Sequence, residues 1–195
     1  MTFSERPLAI FDLETSGLDF FSDEVIEIGM VKVNQQTLEV EEEFETKVRP
    51  LGEVSEGAKT RNGYSPEAWE GSPRLVDAML QLSQLTLDCV PASWNVTFDW
   101  GFLAKAQEVA DVDLKLDYHR LDIMSIALGF RWFQKPESLS LKNFCLSIGL
   151  EPEPEPHGAL AGARRALEVL RRTLDLTWWA RPWDALGEFP VVGKD

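Results

Sequence analysis

The sequence predicts an α/β domain: a mixed sheet of five strands with helices on both faces. Three observations predict it. Strand-like segments open the chain three times in succession, as the apolar run Leu8–Phe11 leading into Asp12 and Glu14, at Val25–Val33 and from about Leu38 to Val48, with short connections between them. Further apolar strands then alternate with helical periodicity, around Thr86–Trp94 and His119–Leu121. The last helical pattern, from Gly158 to about Trp179, is the longest and follows a segment that can be neither helix nor central strand, Glu151-Pro-Glu-Pro-Glu-Pro156. Consecutive strands followed by alternating strands and helices give a layered α/β arrangement.

In order, the first strand is the apolar run Leu8–Phe11 continued into Asp12, Leu13 and Glu14. Side chains two apart on a strand point to one face, so Asp12 and Glu14 stand side by side off its end. Like charges so placed repel unless a cation sits between them; the bland alternative is an exposed acidic strand end. The second strand reads Val-Ile-Glu-Ile-Gly-Met-Val-Lys-Val, and the third carries Glu39, Glu41, Glu42, Glu43 and Glu45, a solvated edge that resists pairing with another sheet. Residues 50–63 read as loop. Ser65 with Pro66 reads as a helix start, and Ser72 caps a helix beginning near Pro73, with Leu75, Val76, Met79, Leu80 and Leu82 down one side. The fourth strand ends at Asn95, where a helix bearing Phe102, Leu103 and Ala106 begins. The fifth leads into a helix capped by Asp122, and Ser138 or Ser140 starts the next, through Leu141, Phe144, Cys145 and Ile148.

With 195 residues, 44% of them apolar, the chain suffices for one domain, residues 1–175, with a Trp-rich extension over 176–195. Trp178, Trp179 and Trp183 in that extension are expected to pack back on the domain. No apolar run approaches a membrane span and the first residues lack a signal peptide's apolar region, so a cytoplasmic protein without a membrane partner is expected. Cys89 and Cys145 match no metal spacing and read as buried thiols of a reducing compartment. A net charge of −14 excludes nucleic-acid binding by bulk attraction. Any such role must rest on bound cations and a few well-placed basic side chains.

Asp12-Leu13-Glu14-Thr15-Ser16-Gly17, Glu27-Ile28-Gly29, Asn95-Val96-Thr97-Phe98-Asp99, Asp122, Ser140-Leu141-Lys142-Asn143-Phe144 and His157-Gly158-Ala159-Leu160 stand in one order along the chain. In that order they resemble the DEDD 3′–5′ exonucleases of the histidine branch, the DnaQ-like group. The resemblance implies a ribonuclease H-like fold and a Mg²⁺- or Mn²⁺-dependent enzyme that releases nucleoside 5′-monophosphates from the 3′ end of single-stranded DNA or RNA. It implies two ions about 4 Å apart, held by Asp12, Glu14 and Asp99. Asp12 would bridge both, and His157 would accept the attacking water's proton. It also implies contacts to the nucleic-acid end from Thr15, Leu18, Asn95 and Phe102, and a polymerase or other protein partner; Leu18 and Phe102 read equally well as plain core. His119 reads as structural, Asp122 as a helix cap, and much of the Arg164, Arg165, Arg171 and Arg172 set as solvated helix face.

One position departs from the family pattern. The last motif should carry an Asp where Gly162 stands, so one ligand to the water-activating ion is missing. Glu155 and, less well placed, Glu168 are the candidate substitutes. A weakened exonuclease, a catalytically silent module that grips a nucleic-acid end or a partner protein, and an enzyme altered on purpose all agree with Gly162.

Overall fold

The computed structural model describes residues 2–131 and 138–175. Its centre is a five-stranded sheet in the order β3-β2-β1-β4-β5, built from β1 (Leu8–Thr15), β2 (Val25–Val33), β3 (Val40–Lys47), β4 (Val90–Ser93) and β5 (Leu121–Asp122). β1–β2 and β2–β3 are antiparallel; β1–β4 and β4–β5 are parallel. The sheet is therefore mixed, as expected, and the chain leaves β1 toward one edge and returns to pair on its other side. In such open sheets the crevice beyond the carboxyl ends of the strands, where the winding reverses, is the usual binding place. Here that crevice lies past Ala92 and Asp12.

The period of two along β1 explains both cores. Leu8 and Ile10 join Val31, Val33, Ala163, Leu167 and Leu170 on one face of the sheet. Ala9, Phe11 and Leu13 join Met30, Met79, Phe102 and Leu103 on the other. Each fully buried side chain of this size stabilises the fold by about 1.5–3 kcal/mol. The even-numbered positions carry Asp12 and Glu14 onto the first of these faces.

The helices are α1 (Glu56–Asn62), α2 (Leu75–Ser83), α3 (Val96–Ala110), α4 (Ile123–Arg131), α5 (Leu141–Ser147) and α6 (Ala159–Leu174). The packed side chains place α2 and α3 against one face of the sheet and α4, α5 and α6 against the other. α6 lies close over β2 because of Gly29: a Cβ there would run into the backbone of Ala159 and Leu160. Glu27, two residues earlier and on the same face, accepts the Ala159 N–H at 3.1 Å and so caps the N-terminus of α6.

Several boundaries differ from the sequence reading. Residues 50–63 are not all loop, since Ser55 accepts the Ala58 N–H and starts α1. The helix expected at Pro66 is a turn instead: Ser65 does accept the Ala68 N–H at 3.1 Å, but the Trp69 indole N–H donates to the Ile26 carbonyl at 2.8 Å and draws the chain onto β2. Ser72 does not cap α2. The Pro73 carbonyl accepts the Arg49 N–H at 2.9 Å, so the first helical bonds go to the Arg74 carbonyl. β4 is shorter than the apolar run because Asp88 takes a left-handed φ of 59° and turns the chain. β5 begins two residues later than expected because Asp117 binds the His119 N–H at 2.8 Å in a turn. α5 begins after Ser140, whose hydroxyl accepts the Asn143 N–H at 3.2 Å. No described helix is long and apolar enough to cross a membrane. The Trp-rich extension, 176–195, lies outside the described residues.

Candidate active site

The end of β1 forms the floor. Asp12 pairs across β2 with Gly29, and Glu14 pairs with Glu27. The carboxyl group of Asp12 lies among protein atoms, so burial first, then Asp99, Glu14 and Glu153 in turn, push its pKa well above the usual carboxylate range; Arg61 offsets part of this. Glu14 is 6% exposed. Burial and then the neighbouring Glu27 push it up to about 7, opposed by Arg61 and by a hydrogen bond from Asn62. These carboxyls are held together without enough nearby positive charge, the state a bound cation would relieve.

Asp99 comes from the first turn of α3, immediately after β4. One of its oxygens accepts the Leu13 N–H at 3.2 Å, between the two acidic residues of β1; the other accepts the Ser93 hydroxyl at 2.7 Å. Burial nonetheless pushes it up to about 6. The helix side of the cleft is set by His157, whose N–H donates to the Arg61 carbonyl at 3.0 Å. Its Nδ1 stands 2.6 Å from Glu153 Oε1. Gly162 is buried directly above Asp12: a Cβ at this position would lie 2.6 Å from Asp12 Cγ and 3.0 Å from Glu153 Oε2.

Asp12, Glu14 and Asp99 thus gather at the carboxyl ends of β1 and β4, and Glu153, beside the Asp12 carboxylate at Gly162, joins His157 to them. The remaining expected residues are placed unevenly. The Thr15 hydroxyl donates to the Gly17 carbonyl at 2.6 Å and holds the turn after β1. Leu18 is 83% exposed on that turn, and Asn95 is exposed at the start of α3. Phe102 is a correction: at 1% exposure it belongs to the core, packed on Phe98 and Phe20, and offers nucleic acid no surface. Glu155 is exposed and paired with Lys142, and Glu168 is paired with Arg165 at 2.7 Å, so neither replaces the missing carboxylate. Asp122 does cap α4, accepting the Ser125 N–H at 3.0 Å. His119 lies against Asp117, Phe3 and Tyr118, away from the cleft residues.

Four residues escaped the sequence reading: Glu153, Arg61, Asn62 and the capping role of Glu27. The signal for Glu27 was a carboxylate two positions before a strand glycine, on the same face; α1 left no apolar periodicity to announce Arg61 or Asn62. All the cleft donors except His157 are carboxylate oxygens, the type that Mg²⁺ and Mn²⁺ take. Among the described residues no three acidic, histidine or cysteine side chains stand close enough to hold an ion as placed. A cation entering the cleft would have to draw them inward.

A family model described as RNase T exonuclease matches residues 9–170. The PolC-type DNA polymerase III of Thermotoga maritima is 29% identical over 175 residues, covering 90% of this chain and 12% of the polymerase. The 3′-5′ exonuclease DinG of Staphylococcus epidermidis is 29% identical over 107 residues, 55% of this chain and 12% of that protein. The chain therefore spans only a small part of these relatives. Among solved structures, E. coli Exonuclease I in complex with a dT13 oligonucleotide superposes with a TM-score of 0.75 at 18% identity, covering 93% of this chain and 43% of that one. The nuclease domain of 3′hExo, a DEDDh family member bound to rAMP, gives 0.69 at 17% identity, covering 89% and 94%. The fold is ribonuclease H-like, and the chain belongs to the RNase T, DnaQ-like exonuclease family.

Proposed function

We propose that this domain is a metal-dependent 3′–5′ exonuclease acting on single-stranded DNA or RNA ends. The observation that supports the reading is the crowding of Asp12, Glu14 and Asp99 at the carboxyl ends of two parallel central strands, with Glu153 linking His157 to Asp12. Asp12, Glu14 and Asp99 would hold Mg²⁺ or Mn²⁺. Bound there, such ions would polarise the scissile phosphate and make water a stronger acid.

The chain's own residues do the rest. Glu153 is an acceptor when ionised, so the proton between it and His157 sits on Nδ1, which leaves Nε2 as the basic nitrogen. His157 would take the attacking water's proton there. Arg61, the basic group felt by both Asp12 and Glu14, supplies local positive charge for a phosphate in a protein of net charge −14. Leu18 would lie against the terminal base, as apolar side chains do with unpaired strands. A reducing, cytoplasmic setting agrees with Cys89 and Cys145, both free and buried, with burial pushing each thiol up to about 11. Kinship with polymerase III supports a polymerase as protein partner.

A silent end-binding module is the second reading, and Gly162 favours it. The two separate in one assay. Single-stranded DNA and RNA oligonucleotides labelled at the 5′ end are incubated with the protein and Mn²⁺. Stepwise shortening from the 3′ end with release of 5′-monophosphates is expected, and it should be absent in D12N. Retention of intact oligonucleotide, with binding but no shortening, overturns the enzyme.

A further inference from the structure

We propose that the carboxylate missing from position 162 has been relocated to Glu153, whose Oε2 supplies the lost metal-ligand oxygen while its Oε1 orients His157. The inference rests on the exonuclease reading above and names a residue that the family pattern does not.

Three independent observations converge. The first is steric. The space that a side chain at position 162 would enter is already taken, by the Asp12 carboxylate and by Glu153 Oε2 at 3.0 Å. A glycine here opens a gap in α6 that two carboxylates fill from outside the helix. The second is burial. Of the three linker glutamates, Glu151 and Glu155 are exposed, whereas Glu153 is 8% exposed. Solvated linker charge has no reason to be buried at one alternate position, and a buried carboxylate is costly unless something compensates it. The third is geometric. Glu153 Oε1 stands 2.6 Å from His157 Nδ1, while its Oε2 faces the same point over Gly162 as the Asp12 carboxylate.

The linker's composition makes this possible. Glu153 lies between Pro152 and Pro154. Proline fixes its own φ, and it confines the residue before it to extended conformations. A Pro-flanked glutamate therefore loses little conformational freedom on being held, so a loop can present a ligand with nearly the fixity of a helix. One carboxylate can serve both neighbours because its two oxygens point to different places, Oε1 to the imidazole and Oε2 to the gap over Gly162.

The exchange predicts that G162D is not a restoration. In the unaltered protein an aspartate at 162 would collide first with the Asp12 carboxylate and then with Glu153 Oε2, so its side chain would displace the two carboxylates that fill the gap. Mn²⁺ titration by calorimetry on the full chain, with circular dichroism confirming the fold of each variant, tests this. E153Q, which keeps shape and loses charge, should weaken Mn²⁺ binding about 10–100-fold. G162D alone should bind no tighter than the unaltered protein, because the new side chain meets the Asp12 and Glu153 carboxylates already standing there. Long-range ¹H–¹⁵N spectra should show the His157 proton on Nδ1, moving toward Nε2 in E153A.

If E153Q and E153A bind Mn²⁺ like the unaltered protein while D12N does not bind, the role of Glu153 as ligand falls and the exonuclease reading stands. Tighter binding by G162D alone also overturns it, by showing the fourth ligand place to be empty. Unchanged His157 spectra in E153A overturn the orienting role. If the unaltered protein and D12N both fail to bind Mn²⁺, this inference and the exonuclease reading fall together.

Discussion

Two groups of carboxylates in this molecule carry the same formal charge and live under opposite physics. Glu41, Glu42, Glu43 and Glu45 lie exposed on β3, at the edge of the sheet. Water solvates them, and where one finds a partner the charge is favoured: the Arg164 guanidinium, 2.5 Å away, holds Glu43 below the usual carboxylate range. Asp12, Glu14 and Asp99, in the cleft, are pushed the other way by burial and by one another. The total of −14 merges the two groups. Only the second can do work on a cation, because only there does the fold hold anions together against their repulsion.

Neutralising one carboxylate in each group should break the comparison most sharply. D12N is expected to lower nuclease activity by at least ~10³-fold, since it removes the carboxylate nearest to all the others and the charge stabilisation that depends on it, worth several kcal/mol. E42Q should leave the rate within about 2-fold, as surface substitutions away from special features usually do. D12N should also raise the metal-free melting temperature while removing the rise that Mn²⁺ gives the unaltered protein. A D12N protein that is inactive but still stabilised by Mn²⁺ would move the ion elsewhere.

The next effect is on stability against pH, in the absence of metal. Glu14 titrates near 7 in the folded protein and near 4.5 when unfolded, and Asp99 near 6 against 3.8. Between these values the folded state holds protons that the unfolded state has released, so stability is fully present below about pH 4 and falls as pH rises through 6 and 7. For Glu14 alone the loss is on the order of 3 kcal/mol. Urea midpoints at pH 5 and pH 8 in EDTA should show the fall, and saturating Mn²⁺ should flatten it. A metal-free midpoint that rises over this range would show the cleft carboxylates to be compensated already.

What the sequence disclosed follows the same division. β1, β2, α3 and α6 were legible because a buried face imposes a period on the residues that line it; Asp12, Glu14 and Asp99 sit at fixed steps along those elements, and His157 stands two residues before α6. α1 was not, because Glu-Gly-Ala-Lys-Thr-Arg-Asn buries only Asn62 and leaves no apolar stripe to read. With it went Arg61 and Asn62. Glu153 was hidden differently: in a Glu-Pro alternation every glutamate looks alike, and burial of the middle one depends on a gap in α6 across the cleft. Phe102 shows the converse error. An aromatic ring near the site can stack on a base or fill the core, and the sequence alone left both open; the face of α3 that carries Phe102 and Leu103 packs on the sheet, which decides for the core.

A smaller effect probes how α6 is joined to the sheet. Glu27 accepts the Ala159 N–H, so E27A should cost about 1 kcal/mol as a lost cap, with local charge at the helix N-terminus adding a few tenths. Because α6 and the linker before it border the cleft, part of that loss should appear as weaker Mn²⁺ binding, whereas R164A, which releases the same helix from Glu43 at the sheet edge, should not weaken it.

The smallest expected effect belongs to the edge itself. Replacing Glu41, Glu42 or Glu45 singly by Gln should change stability by no more than about 0.5 kcal/mol, because each charge is solvated in folded and unfolded chains alike. Replacing all three together should change something else. Among the described residues β3 pairs only with β2, which leaves its outer N–H and C=O groups open to another strand. Charge repulsion between copies keeps that edge free, so the triple Gln variant should remain folded yet scatter light at concentrations where the unaltered protein does not. If it scatters no more than the unaltered protein, the edge is protected by its geometry rather than its charge, and the contrast between the two carboxylate groups narrows to the cleft alone.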